Sequence, residues 1–330
     1  MKKVWLFALM LGLVLLAACG GQEESEDSSD SQSGEGTDSR SVTIEDATGE
    51  KTIEGTPEKV VVLEWTYAEN MQALGMEPVG VAGLSDYGDW VNVGIPFSDS
   101  VEDVGTRQEP NLEAISRLNP DLIIGVDFRH EAIKEDLEKI APTVLFAPYS
   151  EEASKDQFQN MKDEFAAMAK ILDKEEKADE VIQDMEQTFE EQAKRLEDSG
   201  KDGMNYVLTQ AFTAQNTPTL RLFTDNSMAA QIMNQMGMKN DYESENLEVY
   251  GYTETTVEAL QNYQDSNFFY IVQEEDNIFT NQLEGNPVWD GLGFVKEDRT
   301  YQLPGDAWTF GGPLSAEVLA EQVADAALEE

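Results

Sequence analysis

Ala178-Asp179-Glu180-Val181-Ile182-Gln183-Asp184-Met185-Glu186-Gln187-Thr188-Phe189-Glu190-Glu191-Gln192-Ala193-Lys194-Arg195-Leu196 is the stretch that decides the fold. Ala178, Val181, Met185, Phe189, Ala193 and Leu196 recur at intervals of three and four, the one-sided stripe of an α-helix. No Gly or Pro interrupts the pattern until Gly200. The spacing predicts a helix of about 24 residues, or ~36 Å. A helix of that length between two other patterned regions is expected to be a strut crossing from one lobe to another.

Upstream, from about Ser41 to Ser150, short apolar runs alternate with helical patterns. Lys59-Val60-Val61-Val62-Leu63 reads as a buried strand, Ala68 to Leu74 as a short helix ended by Gly75, and Pro78 to Ala82 as a strand. Asn111 to Leu118 reads as a helix stopped by Asn119-Pro120, followed by a strand over Asp121 to Val126, a helix over His130 to Ile140 and a strand over Thr143 to Phe146. Alternation of this kind implies parallel pairing. Ser154 to Leu172 is helical.

Downstream, a second α/β stretch begins at Asn205-Tyr206-Val207-Leu208. Helices are expected over Ser227 to Met236, Thr256 to Tyr263 and Ser315 to Leu328, with a strand over Phe268 to Val272. There is an internal echo: Asn111-Leu112-Glu113-Ala114 leads through a short helix to Asp121 and a strand, and Thr256-Val257-Glu258-Ala259 leads likewise to Asp265 and a strand. The expected fold class is α/β, two lobes with parallel-rich sheets joined by one long backbone helix, the architecture of a cleft binder.

The chain opens with Met1-Lys2-Lys3, then runs 15 uncharged residues from Val4 to Ala18 before Cys19-Gly20-Gly21-Gln22-Glu23-Glu24. A basic start, a short apolar run and small residues before a cut make a secretory signal, and the run is short of the ~20 residues a membrane span needs. Cys19, the only cysteine, follows Leu16-Ala17-Ala18 as in a bacterial lipobox. Its thiol is expected to be acylated, holding the chain on the extracytoplasmic face of the cell membrane; two or more acyl chains at ~0.8 kcal/mol per methylene make a stable anchor. The expected organisation is a signal peptide (1–18), a lipidated disordered tether (19–40), an N-terminal lobe (41–153), a helical segment with the strut (154–198) and a C-terminal lobe (199–330).

Sixty-six acidic and 22 basic residues give a net charge of −44, or −46 once Lys2 and Lys3 leave with the signal. Such a surface repels phosphate and excludes nucleic acid as a partner. The chain holds a single histidine, His130, at an expected helix start, where it reads as a surface or capping residue. Its lone cysteine is committed to lipid, so no cysteine nucleophile remains. No Walker loop, Rossmann fingerprint or paired-histidine metal motif occurs. What remains is arginine among aromatics. Of seven arginines, Arg107, Arg129 and Arg221 fall in loop-like stretches beside expected strands or helix starts, and they are the candidates for an anion site. Trp65 and Trp308 are candidate ligand walls.

Several longer motifs carry a resemblance. They are Gly105-Thr106-Arg107-Gln108-Glu109-Pro110-Asn111-Leu112-Glu113, Leu118-Asn119-Pro120-Asp121-Leu122-Ile123-Ile124, Phe128-Arg129-His130-Glu131 and Lys139-Ile140-Ala141-Pro142-Thr143. In the second half come Arg221-Leu222-Phe223-Thr224-Asp225-Asn226-Ser227 and Trp308-Thr309-Phe310-Gly311-Gly312-Pro313-Leu314-Ser315. With them the chain resembles the ferric-siderophore-binding lipoproteins of ABC importers, over essentially all of residues 42–328. The resemblance implies a receptor that flexes little, with a shallow interlobe cleft, and a binding protein rather than an enzyme. It needs no cofactor and no protein ligand to the metal, because the siderophore's own oxygens hold the iron.

Carried over by residue, the resemblance assigns Arg107 and Arg129 to the chelate from the first lobe and Arg221 from the second. Trp65, Tyr250 and Trp308 are expected as walls, with Trp90 and Phe310 behind them. Glu113 and Glu258 match a pair of glutamates that dock onto the permease, itself a heterodimer or homodimer. The expected receptor is a monomer. Trp308-Thr309-Phe310-Gly311-Gly312-Pro313 stands where relatives for polycarboxylate chelates carry further arginines, so the implied ligand is a citrate-hydroxamate ferric siderophore. Alternatives are another iron chelate (ferric citrate or another hydroxamate), haem or cobalamin. From a different class comes an extracellular esterase, which would need a serine partner for His130.

Overall fold

The computed structural model describes residues 40–329, so the expected signal peptide, Cys19 and the tether up to residue 39 lie outside the described residues. Arg40, expected as the end of the tether, already belongs to the folded body. Its Nη1 donates to Ile171 O at 2.9 Å and its Nε pairs with Asp173 at 3.2 Å, because these groups close the gap between the first strand and a neighbouring helix end.

An antiparallel hairpin, β1 (Ser41–Asp46) and β2 (Gly49–Glu54), precedes the first lobe's sheet. Then follow β3 (Val60–Val62), α1 (Trp65–Ala73), β4 (Gly80–Val81), α2 (Leu84–Trp90), β5 (Glu102–Asp103), α3 (Leu112–Leu118), β6 (Leu122–Val126), α4 (Asp127–His130), α5 (Lys134–Leu137) and β7 (Thr143–Phe146). The five strands β3 to β7 pair in the order β5-β4-β3-β6-β7, all parallel. Every residue of β3, β6 and β7 is buried, as expected of strands covered on both faces. The helix expected over His130 to Ile140 is instead broken into α4, a 3-10 turn over Glu131–Ile133 and α5. The first break falls at His130 (φ −113°, ψ −5°), the last residue of α4, whose ring turns back to accept the Val126 N–H.

α6 (Gln157–Leu172) starts on an Asp156 cap that accepts the Gln159 N–H and ends at Asp173 in the left-handed region. α7 (Glu175–Asp198) is the long helix, 24 residues. Its two halves serve different cores. Ala178 and Val181 pack with Tyr67, Phe165, Met168 and Leu172, whereas Met185, Phe189 and Leu196 pack with Leu208, Phe269, Leu319 and Val323. One continuous stripe therefore joins both hydrophobic clusters.

The second lobe holds β8 (Asn205–Ala214), β9 (Thr217–Phe223), α8 (Met228–Gln235), β10 (Lys239–Asn240), β11 (Tyr252–Thr255), β12 (Asn267–Val272), α9 (Ile278–Asn281), α10 (Gly293–Lys296), β13 (Thr300–Pro304) and α11 (Pro313–Leu328). The sheet order is β11-β9-β8-β12-β13, with β10 beside the start of β8. β8, β12 and β13 run parallel, and β9 and β11 add an antiparallel edge. Arg221, expected in a loop, lies within β9. Gln215 and Asn216 take φ of 48° and 66°, the left-handed pair that a two-residue hairpin loop requires, and so turn β8 directly into β9. The expected helix at Thr256 to Tyr263 is a 3-10 turn over Val257–Asn262, six residues opening on β-branched Thr255-Thr256-Val257.

Candidate functional site

In the first sheet the strand order reverses direction between β3 and β6, and the crevice beyond the carboxyl ends of parallel strands at such a point is where ligands bind. Glu64 stands two residues after β3, Arg107 beyond β5, Arg129 on α4 directly after β6, and Tyr149 just beyond β7. Four loops thus deliver a carboxylate, two guanidinium groups and a phenol to one sheet edge.

Glu64 is the N-cap of α1, extended at φ −139° and ψ 143°, and its Oε1 accepts the Trp65 N–H at 3.1 Å. The same oxygen accepts Arg107 Nη1 at 2.6 Å, and Oε2 accepts Arg129 Nη1. Arg107 lies over the Trp65 ring, its Cζ 3.5 Å from the centroid, and also faces Trp308 at 5.6 Å. Arg129 lies over Phe128 at 4.6 Å. Across the cleft, Arg221 on β9 faces Tyr252 and Phe212, both at 4.7 Å, and its Nε pairs with Glu254 at 3.1 Å.

The aromatic residues form a chain of contacts around these cations. Phe128 meets Tyr149 at 5.1 Å between centroids, Tyr149 meets Tyr250 of the other lobe at 4.8 Å, and Tyr250 stacks on Tyr252 at 6.1 Å. Tyr252 touches Phe310 at 6.1 Å, Phe310 touches Trp308 at 5.5 Å, and Trp308 returns to Trp65 at 5.4 Å. The path leaves one lobe, runs along the other and comes back. Within it the cleft has two compartments, of about 290 Å³ and about 430 Å³, and Arg107, Arg221, Trp308 and Phe310 line both. The larger compartment adds Trp90, Phe212, Ile271 and Val272.

His130, expected at the surface, is fully buried. Its Nδ1 accepts the Val126 N–H at 3.0 Å, which leaves the proton on Nε2 to donate to Arg107 O at 2.9 Å. Burial lowers its pKa, so the ring is neutral and both nitrogens are taken by backbone. The histidine therefore ties the loop of Arg107 to the helix of Arg129. A Cβ on Gly125 would sit 2.6 Å from His130 Nδ1, so only glycine admits the ring there. Glu164 on α6 also lines the smaller compartment, and burial pushes its carboxyl up to about 7 against opposing hydrogen bonds from Asn160 and Tyr67. Trp308 Nε1 is buried and has no hydrogen-bond acceptor.

Of the residues singled out from sequence, Arg107, Arg129, Arg221, Trp65, Tyr250, Trp308, Trp90 and Phe310 all line the cleft. Trp65 differs from expectation: it opens α1 instead of ending a strand, and it is buried as the bed of Arg107, with Nε1 donating to Ala82 O and Gly83 O. Glu113 on α3 and Glu258 on the 3-10 turn are exposed and outside the cleft lining. Sequence reasoning missed Glu64, Phe128, Tyr149, Glu164 and Tyr252. Position immediately after an expected parallel strand was the available signal for Glu64, Phe128 and Tyr149. Among the described residues no group of three or more His, Cys, Asp or Glu side chains is placed to hold a metal ion, and no helix is long and apolar enough to cross a membrane.

The chain is similar to the Fe(3+)-citrate-binding protein YfmC of Bacillus subtilis, 33% identical over 314 residues that cover 94% of each chain. It is 27% identical over 260 residues to the iron(3+)-hydroxamate-binding protein FhuD of Escherichia coli, covering 79% of this chain and 83% of that one. Among solved structures, the Fe3+–Desferal-bound siderophore-binding protein FhuD from Vibrio cholerae superposes with a TM-score of 0.72 at 26% identity, covering 82% of this chain and 97% of that one. Residues 60–307 match the family described as Periplasmic binding protein, and with the two-lobed, helix-bridged fold and its cleft in place the chain belongs to that family.

Proposed function

We propose that the protein captures a ferric siderophore in the interlobe cleft and delivers it to an ABC permease. One observation carries the reading: three arginines from two lobes line a cleft ringed by a chain of aromatic contacts. Guanidinium groups donate to the oxygens of an anionic chelate at any working pH, and aromatic faces bury its apolar arms. The named ligands of the relatives, ferric citrate and ferric hydroxamates, are oxygen-rich iron chelates of that chemistry. A citrate-hydroxamate siderophore combines both groups in one ligand and is our first choice. Ferric citrate is the second reading, supported by YfmC. A binder accounts for His130 better than an esterase does, since both ring nitrogens are engaged by backbone.

Outside the cleft, we assign Glu113 and Glu258 to permease docking, and Cys19 to a lipid anchor on the extracytoplasmic face of the membrane. Fluorescence titration of the purified protein against a panel of ferric citrate, ferric hydroxamates, haem and cobalamin tests the reading. Tryptophan quenching is expected with the iron chelates alone, because Trp65, Trp90 and Trp308 line the cleft. Saturable binding of haem or cobalamin and of no iron chelate overturns it.

A further inference from the structure

We propose that Glu64 is a specificity-determining residue, a built-in counter-anion that tunes the cleft to ferric chelates of low negative charge. The inference rests on the ferric-chelate reading and goes beyond it, to the charge of the ligand.

Glu64 does not face away from the site. Its side chain is 8% exposed and sits between the two first-lobe arginines, one oxygen on each. The trio carries one net positive charge instead of two. On the opposite wall Arg221 is paired with Glu254. Three cations therefore meet two paired carboxylates, with the Glu164 carboxyl also in the lining, and the cleft offers many donors but little uncompensated charge. Each guanidinium has five N–H donors and gives Glu64 only one of them, so the remainder stay available to chelate oxygens. Glu64 leaves the hydrogen-bonding capacity of the arginines nearly whole while cancelling half of their charge.

That separation of donor count from charge is what discriminates. A chelate with few negative charges satisfies the donors and balances the residual cation. Each further negative charge meets the fixed carboxylate. At about 6 Å and an effective dielectric near 20, one such repulsion weakens binding roughly 100-fold. Capping α1 needs only an acceptor, which a glutamine supplies, so a full carboxylate held between two arginines is more than the helix requires.

The test is a pair of titrations, with ferric citrate as the polyanionic chelate and the ferric complex of Desferal as the chelate without excess negative charge. Wild-type protein is expected to bind the Desferal complex at least tenfold more tightly than ferric citrate. Glu64→Gln is expected to shift the ratio of the two affinities toward ferric citrate by at least tenfold. If circular dichroism shows that Glu64→Gln does not fold, Glu64→Asn, a neutral residue that keeps an acceptor at the cap of α1, carries the same expectation. A wild-type preference for ferric citrate overturns the proposal. So does a neutral variant that weakens both chelates by the same factor, which would make Glu64 a positioning residue for the arginines and nothing more. Failure of wild-type protein to bind either chelate would instead remove the ferric-chelate reading, and the proposal with it.

Discussion

Glu69, on the first helix of the N-terminal lobe, accepts the backbone N–H of Ser315 at 2.7 Å, at the head of the closing helix of the other lobe. Its second oxygen accepts the Gly312 N–H at 3.0 Å and the Ser315 hydroxyl at 2.7 Å. The carboxylate is fully buried, and α11 runs 16 residues away from it with Pro313 at its start. A negative group at a helix N-terminus is favoured by the helix dipole and satisfies amides that have no partner within the helix. Burial nonetheless raises the Glu69 pKa against these hydrogen bonds.

Removing this clamp strands two buried N–H groups at the lobe boundary. Glu69→Ala is expected to cost about 2–4 kcal/mol of stability, measured by urea denaturation. A midpoint unchanged from wild type would show that the lobes are held together without it.

In the cleft, Arg107→Ala and Arg129→Ala should each weaken chelate binding roughly 10–150-fold, the equivalent of one charge-assisted contact of ~1.5–3 kcal/mol. Arg195→Ala is the control: that side chain sits on the strut, paired with Asp325 at 2.8 Å. Chelate affinity equal to the parent in both cleft variants places the site elsewhere.

Glu164 gives a pH signature. Tyr67 Oη and Asn160 Nδ2 donate to it at 3.0 Å, Asp127 of α4 and Asp163 of its own helix add negative charge nearby, and burial pushes the carboxyl up to about 7. A raised carboxyl favours the folded state while protonated. Its contribution is therefore complete below the unfolded value near 4.5 and is lost as pH rises through about 7. Glu164→Gln should gain thermal stability relative to wild type between pH 5 and pH 8, by about 2–5 °C at the upper end. A melting-temperature difference that is flat with pH would refute it.

Glu113 and Glu258 make a prediction that separates two activities. Both are exposed and neither lines the cleft, so Glu113→Lys and Glu258→Lys should leave siderophore affinity within about twofold of wild type. If the proposed docking role holds, labelled-iron uptake by cells should fall about tenfold or more, because a carboxylate that would pair with a cationic permease pocket becomes a like charge. Normal uptake in both variants rejects the docking role, and lost affinity would relocate the residues to the ligand site.

The strut was legible in the sequence because its signal is local: a 3.6-residue period sustained over 24 residues with no helix breaker. β6 and β7 were legible as short apolar runs bounded by turns, and the arginines stood out because cations are scarce in a chain of net charge −44. The tertiary structure alone decided what those arginines face. Leu63-Glu64-Trp65 reads as the tail of a strand. Only the order β5-β4-β3-β6-β7 brings the loops after β3, β5 and β6 together and sets Glu64 between Arg107 and Arg129. His130 looked like a surface residue because its two partners, Val126 N–H and Arg107 O, are backbone groups on which side-chain identity leaves no mark. Arg221 looked like a loop residue because the turn before it is Gln215-Asn216 rather than a glycine pair. Periodicity is written along the chain, whereas the convergence of loops at a sheet edge depends on which strands are neighbours, and that is fixed by long-range pairing.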